Sequence, residues 1–332
     1  MTKRAPIALF AFNRPEHVTR VLRALADNDL AAESELTIFC DGPRNDGDLQ
    51  ATSQVREIAR RATGFKHVNV VERDRNLGLA KSVISGVTEI LDNHDRIIVL
   101  EDDLITSPYF LRFMNEGLDL YRDDDRVLSL CGYTFPVGRP LPETFFVRGA
   151  FCWGWATWKR GWALYEHDAK RALEQIVERG LMYDFDFQGS DPLTLILQAT
   201  VLADSRADSW ATRWMATACI HGKYTLYPGK SLIANIGFDG SGRHANHEMR
   251  YETPMADTYP RPGTVPVAID PDVIAAHRAL FLSWRTARSP KRKLYYQVTS
   301  LLPQSIQRHL YNALVRRWLR QSELAGRSLM QA

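Results

Sequence analysis

The sequence predicts an α/β protein: a mostly parallel sheet flanked by helices, continued by a helical C-terminal extension. Three observations predict it. From Pro6 to Cys131, short apolar runs alternate with longer stretches whose apolar residues recur at helical spacing. One run, Arg96-Ile97-Ile98-Val99-Leu100, has four consecutive aliphatic residues and neither Gly nor Pro, the composition of a strand buried on both faces. Three carboxylates, Glu101, Asp102 and Asp103, then close that run. Packed so tightly they repel one another, and burying even one without a partner is costly, so a positive group belongs among them. A hard divalent cation, Mn²⁺ or Mg²⁺, suits oxygen-only ligands. The plain alternative is an acidic turn facing water.

The elements follow in order. Pro6 to Phe12 is a short apolar strand. Asn13-Arg14-Pro15-Glu16 then supplies Asn as a helix cap, Pro near the first turn and Glu three residues after the cap. Val18, Val21, Leu22 and Leu25 continue at helical spacing to Ala26. A second strand, Glu35 to Cys40, is halted by Asp41-Gly42-Pro43, with a helix from about Leu49 to Ala62. Val68 to Glu72 is a third strand, and the loop Asp74-Arg75-Asn76-Leu77-Gly78 leads to a helix from Leu79 to Leu91. The central strand is followed by a helix from about Pro108 to Tyr121 and a fifth strand, Val127 to Cys131. In parallel sheets the C-terminal strand ends share one edge, and ligands bind there. That rule gathers Asn13, Arg14, Asp41, Arg75, Asn76 and the acid triplet along one crevice.

The second half is less regular. Phe145 to Arg148 reads as a strand, and Gly149 to Trp162 holds four tryptophans and three glycines. Core packing accounts for some of these indoles. The glycines argue for a ligand wall, since they let backbone approach a ring laid on the indole faces. Asp191 to Leu202 and a segment running to about His221 read as helices, and Tyr224 to Tyr227 and Ser231 to Ile236 as strands. The glycine-rich stretch Gly237 to His244 has the composition of a loop that orders on ligand.

Composition narrows the class. At 332 residues and 45% hydrophobic content the chain can bury a large core. Its four cysteines are widely spaced, which suggests neither a disulfide framework nor a zinc site and points to a reducing, cytoplasmic setting. The N-terminal residues lack a signal-peptide pattern, and no run approaches the ~20 apolar residues that span a bilayer. The net charge of +3 conceals an asymmetry: Trp284 to Arg327 carries ten Lys and Arg against one Glu, or +9, leaving −6 on the remainder. From Leu294 to Leu319 the basic residues interleave with apolar ones, the pattern of a helix pair that lies on an anionic membrane surface or packs on the catalytic domain or a second subunit. No nucleic-acid reading module accompanies the tail, so no nucleic-acid partner is expected. Neither a P-loop nor a dinucleotide fingerprint occurs.

Taken together, Phe12-Asn13-Arg14-Pro15, Asp41, Arg75-Asn76-Leu77-Gly78-Leu79 and Glu101-Asp102-Asp103-Leu104 resemble the nucleotide-sugar half of a GT-A fold glycosyltransferase. The likeness is to bacterial family-2-like enzymes. Glu101 to Leu104 with Ser107-Pro108-Tyr109-Phe110 is also similar to eukaryotic N-acetylglucosaminyltransferase I. Cys152 to Trp158, Asp208-Ser209-Trp210 and Asn235-Ile236-Gly237-Phe238 resemble segments of bacterial surface-polysaccharide transferases.

The resemblance covers roughly residues 5–250. It implies a GT-A domain over 1–270, with a donor half at about 5–135, an acceptor half at about 136–270, and a basic helical extension over 271–332. It implies that Asp103 binds the metal on the donor diphosphate and that Glu101 or Asp102 serves the ribose side. Asp41 and the Phe12–Arg14 loop would contact base and ribose, and Arg75, Asn76, Gly78 or Lys81 the phosphate or sugar. Trp153, Trp155 and Trp210 are the candidate sugar and acceptor wall.

In the N-acetylglucosaminyltransferase pattern the base lies in a Trp-Asp-Asp-Trp run. Trp210-Ala211-Thr212-Arg213-Trp214 lacks both acids, so Asp208, just before a helix, is the candidate base. His244 is a candidate further metal ligand through neutral imidazole, the alternative being an exposed loop histidine.

The implied partners are a nucleoside-diphosphate sugar, uridine diphosphate being the commonest carrier in such enzymes, and a saccharide or lipid-linked acceptor. The implied place is the cytoplasm or the inner face of the plasma membrane, and the implied role is surface-polysaccharide or glycoconjugate synthesis. Two other readings stand beside this one. A sugar nucleotidyltransferase would carry a Gly-rich triphosphate loop where Asn13-Arg14-Pro15 stands. A non-catalytic saccharide-binding module would use its tryptophans and need no cation.

Overall fold

The computed structural model describes residues 3–202, 209–240, 249–287 and 289–325. The chain begins β1 (Ile7–Ala11), α1 (Pro15–Ala26), β2 (Glu35–Cys40), α2 (Leu49–Arg60), β3 (His67–Glu72), α3 (Leu79–Asn93) and β4 (Arg96–Glu101). It continues through β5 (Leu104–Thr106), α4 (Phe110–Leu120), β6 (Val127–Cys131), β7 (Thr144–Val147) and β8 (Trp155–Trp158). Helices follow: α5 (Lys159–Trp162), α6 (Ala169–Glu178), α7 (Met182–Phe185) and α8 (Leu193–Leu202). Then come α9 (Trp210–Ile220), β9 (Tyr224–Pro228), β10 (Ile233–Asn235) and the extension α10 (Pro271–Thr286), α11 (Pro290–Thr299) and α12 (Gln304–Ala325).

Eight strands form one sheet in the order β3-β2-β1-β4-β8-β6-β9-β7. The left-hand four are parallel: β1 lies between β2 and β4, and β3 lies outside β2. β8 runs antiparallel between β4 and β6, and β7 antiparallel beside β9. The expected fold class is therefore observed: a mixed, mostly parallel sheet flanked by helices with a helical C-terminal extension.

Strand periodicity divides the apolar residues between two cores, one per face. Ile7, Leu9, Ile98 and Leu100 join one cluster with α1, α2 and α4, while Ala8, Phe10, Ile97 and Val99 join the other with α3 and α9, as alternate residues of a strand must. The continuous aliphatic run of β4 is thus explained by burial on both sides.

Two local expectations are corrected. Asn13 does not cap α1: the capping position is Arg14, which makes no side-chain cap hydrogen bond, and Pro15 opens the helix. Asn13 instead donates from Nδ2 to Asp48 Oδ1 at 2.8 Å. Within Gly149 to Trp162, read from its tryptophans and glycines as a ligand wall, Trp155–Trp158 is a buried strand in the middle of the sheet. No described helix is long and apolar enough to cross a membrane.

The extension is anchored through one face. Tyr311 donates to Asp186 Oδ2 at 2.6 Å, Tyr183 N to Asn312 Oδ1 at 3.0 Å, and Tyr296 to the Gly189 carbonyl at 2.9 Å. Val315 and Leu319, on the inner side of α12, are buried.

Candidate active site

Sheet order fixes where a ligand can bind. The chain lays down β1, moves outward to β2 and β3, then returns to place β4 on the other side of β1. The loops leaving β1 and β4 part at this switch point, where the rule for such sheets puts a ligand crevice, beyond the strands' C-terminal ends. Phe12 to Arg14 follow β1, and Glu101 to Asp103 close β4. The Arg14 guanidinium crosses the opening, pairing through Nη2 with Asp102 Oδ1 and, at 3.1 Å, with Asp103 Oδ2. Asp102 Oδ2 accepts from the Phe12 amide at 3.3 Å. Both oxygens of Asp102 are therefore committed to holding the β1 loop.

One guanidinium faces three carboxylates, and the electrostatics follow from that imbalance. Glu101, the last residue of β4, is half-buried. Its burial, with Asp103 and Asp102 beside it, pushes its carboxyl up to about 8, Arg14 only partly offsetting them. Asp102 is likewise raised, chiefly by burial, with Arg14 pulling the other way. Burial opposes the charge of Arg14, but the two facing carboxylates outweigh it and hold the guanidinium protonated.

The next strand end is a clamp. Asp41 is buried, its Oδ1 accepting from the amides of Gly42 at 2.9 Å and Leu77 at 2.8 Å. Its Oδ2 accepts from Asn76 Nδ2 and the Gly78 amide, each at 3.0 Å. The Asn76 amide also reaches the Gly42 carbonyl at 2.9 Å. Asp41 and Asn76 thus bind the Arg75–Gly78 loop to the end of β2. Glycine is required at two places in this clamp: a Cβ on Gly42 would overlap the Arg75 backbone, and Gly78 adopts φ +76° before α3. Arg75 and Lys81 project from this loop and from the first turn of α3 as exposed cations.

On the other side of the triplet, β10 pairs antiparallel with β5 and brings Gly237 against Asp103. The Ile236 amide donates to the Asp103 carbonyl at 2.8 Å, and any Cβ on Gly237 would overlap the Asp103 carboxylate. Phe238 then stacks on Tyr251, with ring centroids 4.9 Å apart. Trp153 meets both rings edge-on, at 5.8 Å and 5.3 Å, and Trp284 of α10 packs on Tyr251 at 5.3 Å. Of the three tryptophans read as a sugar wall, only Trp153 belongs to this aromatic group. Trp155 and Trp210 are buried on the opposite face of the sheet, Trp155 within 5.8 Å of the rings of Trp162, Trp210 and Trp214, so neither presents a face to a ligand. Phe238 was marked in the sequence only as part of the Asn235-Ile236-Gly237-Phe238 segment, with no role given to it, and Tyr251 and Trp284 were not read as site residues. The signal for Phe238 was its place in that segment, at the start of the glycine-rich stretch. Tyr251 and Trp284 carry no local signal, because only the tertiary fold brings them there.

Asp208 and His244 lie outside the described residues. Among the described residues no three His, Cys, Asp or Glu side chains converge as a ready-made metal site. The oxygen donors left over are the Glu101 carboxylate and Asp103 Oδ1, which make no hydrogen bond to protein among the described residues. That set is too small to cage a cation by itself. It fits a hard cation that keeps waters and takes its other ligands from phosphate oxygens.

No family model matches the chain. Among solved structures it is similar to the mannosyltransferase PcManGT from Pyrobaculum calidifontis, solved in complex with GDP-Man and Mn²⁺. The identity is 13%, over 66% of this chain and 71% of that one, with a TM-score of 0.37. It is similar to S. aureus TarS at 12% identity, over 70% of this chain and 37% of that one, with a TM-score of 0.37. Against residues 1–349 of TarS the identity is 12%, over 97% of this chain and 92% of that one, with a TM-score of 0.40. Likenesses this distant assign no role to any residue.

Proposed function

We propose that the crevice at the β1/β4 switch point binds a nucleoside-diphosphate sugar and that the protein transfers the sugar to a hydroxyl of a saccharide or lipid-linked acceptor. The observation that carries this reading is the acid triplet closing β4, three carboxylates answered by one arginine at the place where α/β sheets bind ligands. Such a crowding of acids is relieved by a cation, and a diphosphate is the ligand that supplies the cation's remaining oxygens. Glu101 and Asp103 would hold that cation, which when bound neutralises charge on the departing diphosphate.

The chain's own residues supply the rest. Asp102 fixes Arg14 and the Phe12 amide at the rim where base and ribose enter. Asp41 and Asn76 hold the neighbouring loop rigid, so that Arg75 and Lys81 face the donor's phosphates as unpaired cations among the described residues. Trp153 and Phe238 offer apolar ring surface beside Asp103 for a sugar. The acceptor hydroxyl attacks the anomeric carbon as the nucleoside diphosphate leaves, and its proton passes to a carboxylate, for which Asp208 is the candidate. In-line attack of this kind inverts the anomeric centre.

The test is release of free nucleoside diphosphate from a panel of nucleoside-diphosphate sugars, with the transferred sugar followed by mass spectrometry. Wild-type protein is expected to release it from one donor class. Asp208→Asn should lower kcat by roughly 10²-fold or more, the size of a lost general base, with donor affinity nearly unchanged. An Asn variant close to wild type would remove Asp208 from the mechanism. Absence of turnover together with saccharide binding that ignores cations would favour the non-catalytic binding module.

A further inference from the structure

The anchored face of the C-terminal extension leaves the opposite face without a protein partner among the described residues, and that face has a distinct composition. Leu294, Val298 and Leu301 follow at i, i+4 and i+7 along one side of α11 and into the turn after it, and are 62%, 54% and 85% exposed. Ile306 and Leu310 repeat the i, i+4 step on the first turns of α12, at 44% and 41%. Aliphatic side chains this exposed occur singly elsewhere on the described surface, and single ones need no explanation. Five along one hairpin form a patch of the kind that marks an interaction site.

The charge around the patch says what covers it. Lys291, Arg292 and Lys293 occupy the exposed first turn of α11, and Arg317 and Arg320 the exposed side of α12. None of the five has an ion-pair partner among the described residues, whereas Arg308, on the anchored side, pairs with Asp184 at 2.9 Å. From residue 273 to residue 322 the sequence contains no Asp or Glu at all. A second copy of this chain is a poor occupant, since a two-fold contact through the patch would set these cations against their own images. Nucleic acid is a poor occupant too: it needs ring faces for stacking, and the patch offers Leu, Val and Ile. A bilayer carrying anionic headgroups satisfies both halves, taking the aliphatic side chains below the headgroups and the ammonium and guanidinium groups at their level.

We infer that α11, its turn and the start of α12 form a docking surface for an anionic lipid membrane, with Leu294, Val298 and Leu301 as the inserted edge and Lys291, Arg292 and Lys293 as the headgroup contacts. The inference is independent of the proposed transfer reaction, because it concerns a surface separate from the crevice and its test needs no donor.

The experiment is co-sedimentation of the full chain with vesicles of phosphatidylcholine alone and of phosphatidylcholine doped with phosphatidylglycerol, at low and high salt. The protein is expected to pellet with the doped vesicles only and to be released by salt, as screened surface attraction requires. K291Q/K293Q should weaken binding by roughly thirty-fold, the worth of two basic residues at such a surface. L294S/V298S/L301S should abolish it. All of these positions are exposed, so both variants should keep the wild-type Tm. Equal pelleting with neutral and doped vesicles, or none with either, overturns the inference. So does a wild-type dimer that the serine variant dissociates without any vesicle binding, which would assign the patch to a second copy.

Discussion

Gly237 is the residue where a single methyl group acts directly on the acids of the candidate site. Its backbone presses on the Asp103 carboxylate, and Ala at this position must push that carboxylate away from where β4 delivers it. Gly237→Ala is therefore expected to lower donor affinity at least tenfold, by about 1.4 kcal/mol, while shifting Tm little, because the displaced atoms lie at the edge of the crevice. Isothermal titration with nucleoside diphosphate and Mn²⁺, beside a melting curve, checks this. Asp41 behaves oppositely. Its two oxygens receive three backbone amides and the Asn76 side chain, so Asp41→Ala leaves several buried donors without an acceptor. A loss of roughly 3 kcal/mol in denaturant unfolding is expected. An Asp41→Ala protein of wild-type stability would mean that the clamp is not what orders the Arg75–Gly78 loop. The sequence marked Asp41 and Asn76 as residues facing a donor. Their hydrogen bonds in the structure are to each other and to the loop, a distinction that no spacing rule reveals because it depends on where two loops meet.

At the scale of the elements, the junction between the α7–α8 loop and α12 is set by one buried carboxyl. Asp186 accepts from the Thr194 amide at 2.6 Å, the Thr194 hydroxyl at 2.8 Å and the Tyr311 hydroxyl at 2.6 Å. Burial outweighs these bonds and pushes the carboxyl up to about 7. In the unfolded chain the same group titrates near its ordinary ~3.9. Between those values the folded protein keeps a proton that the unfolded chain has released, so this residue makes stability fall as pH rises from about 4 to about 7. Asp191, raised by burial to about 6, acts in the same direction. Asp186→Asn retains an acceptor for Thr194 and cannot ionise, so its unfolding free energy should decline less steeply across that window than wild type. Parallel pH profiles would contradict the assignment.

The elements also show where pattern reading succeeds and where it stops. Strands β1, β2, β4 and β6, with the helices between them, were legible because apolar runs and helical periods alternate cleanly there. β8 was not, since four residues with two tryptophans and an alanine carry no strand period of their own. Its place is decided by partners on both sides, β4 and β6, that lie far off in the sequence. The tryptophan before it and the one that opens it were divided by the fold, Trp153 toward the acids and Trp155 into the core. Composition alone could not separate them.

Over the whole molecule, charge and topology are arranged together. The acids concentrate at the switch point of an otherwise negative body, and the cations collect on a helical extension fastened by Tyr296, Tyr311 and Asn312. The two regions are connected. Trp284 of α10 touches Tyr251, which stacks on Phe238 next to the glycine against Asp103. The extension therefore supports one wall of the crevice as well as presenting its own surface. Everything assigned to the crevice depends on its taking up a nucleoside diphosphate together with a cation. The most direct measurement is the thermal shift of wild type and Asp103→Asn against nucleoside diphosphates, each with and without Mn²⁺. The wild-type protein should be stabilised by one nucleoside diphosphate only when the cation is present, by about 2.7 kcal/mol at a hundred times its Kd, and Asp103→Asn should lose that gain. A wild-type protein that no nucleoside diphosphate stabilises with Mn²⁺ present, or an Asp103→Asn protein stabilised equally well, would contradict it.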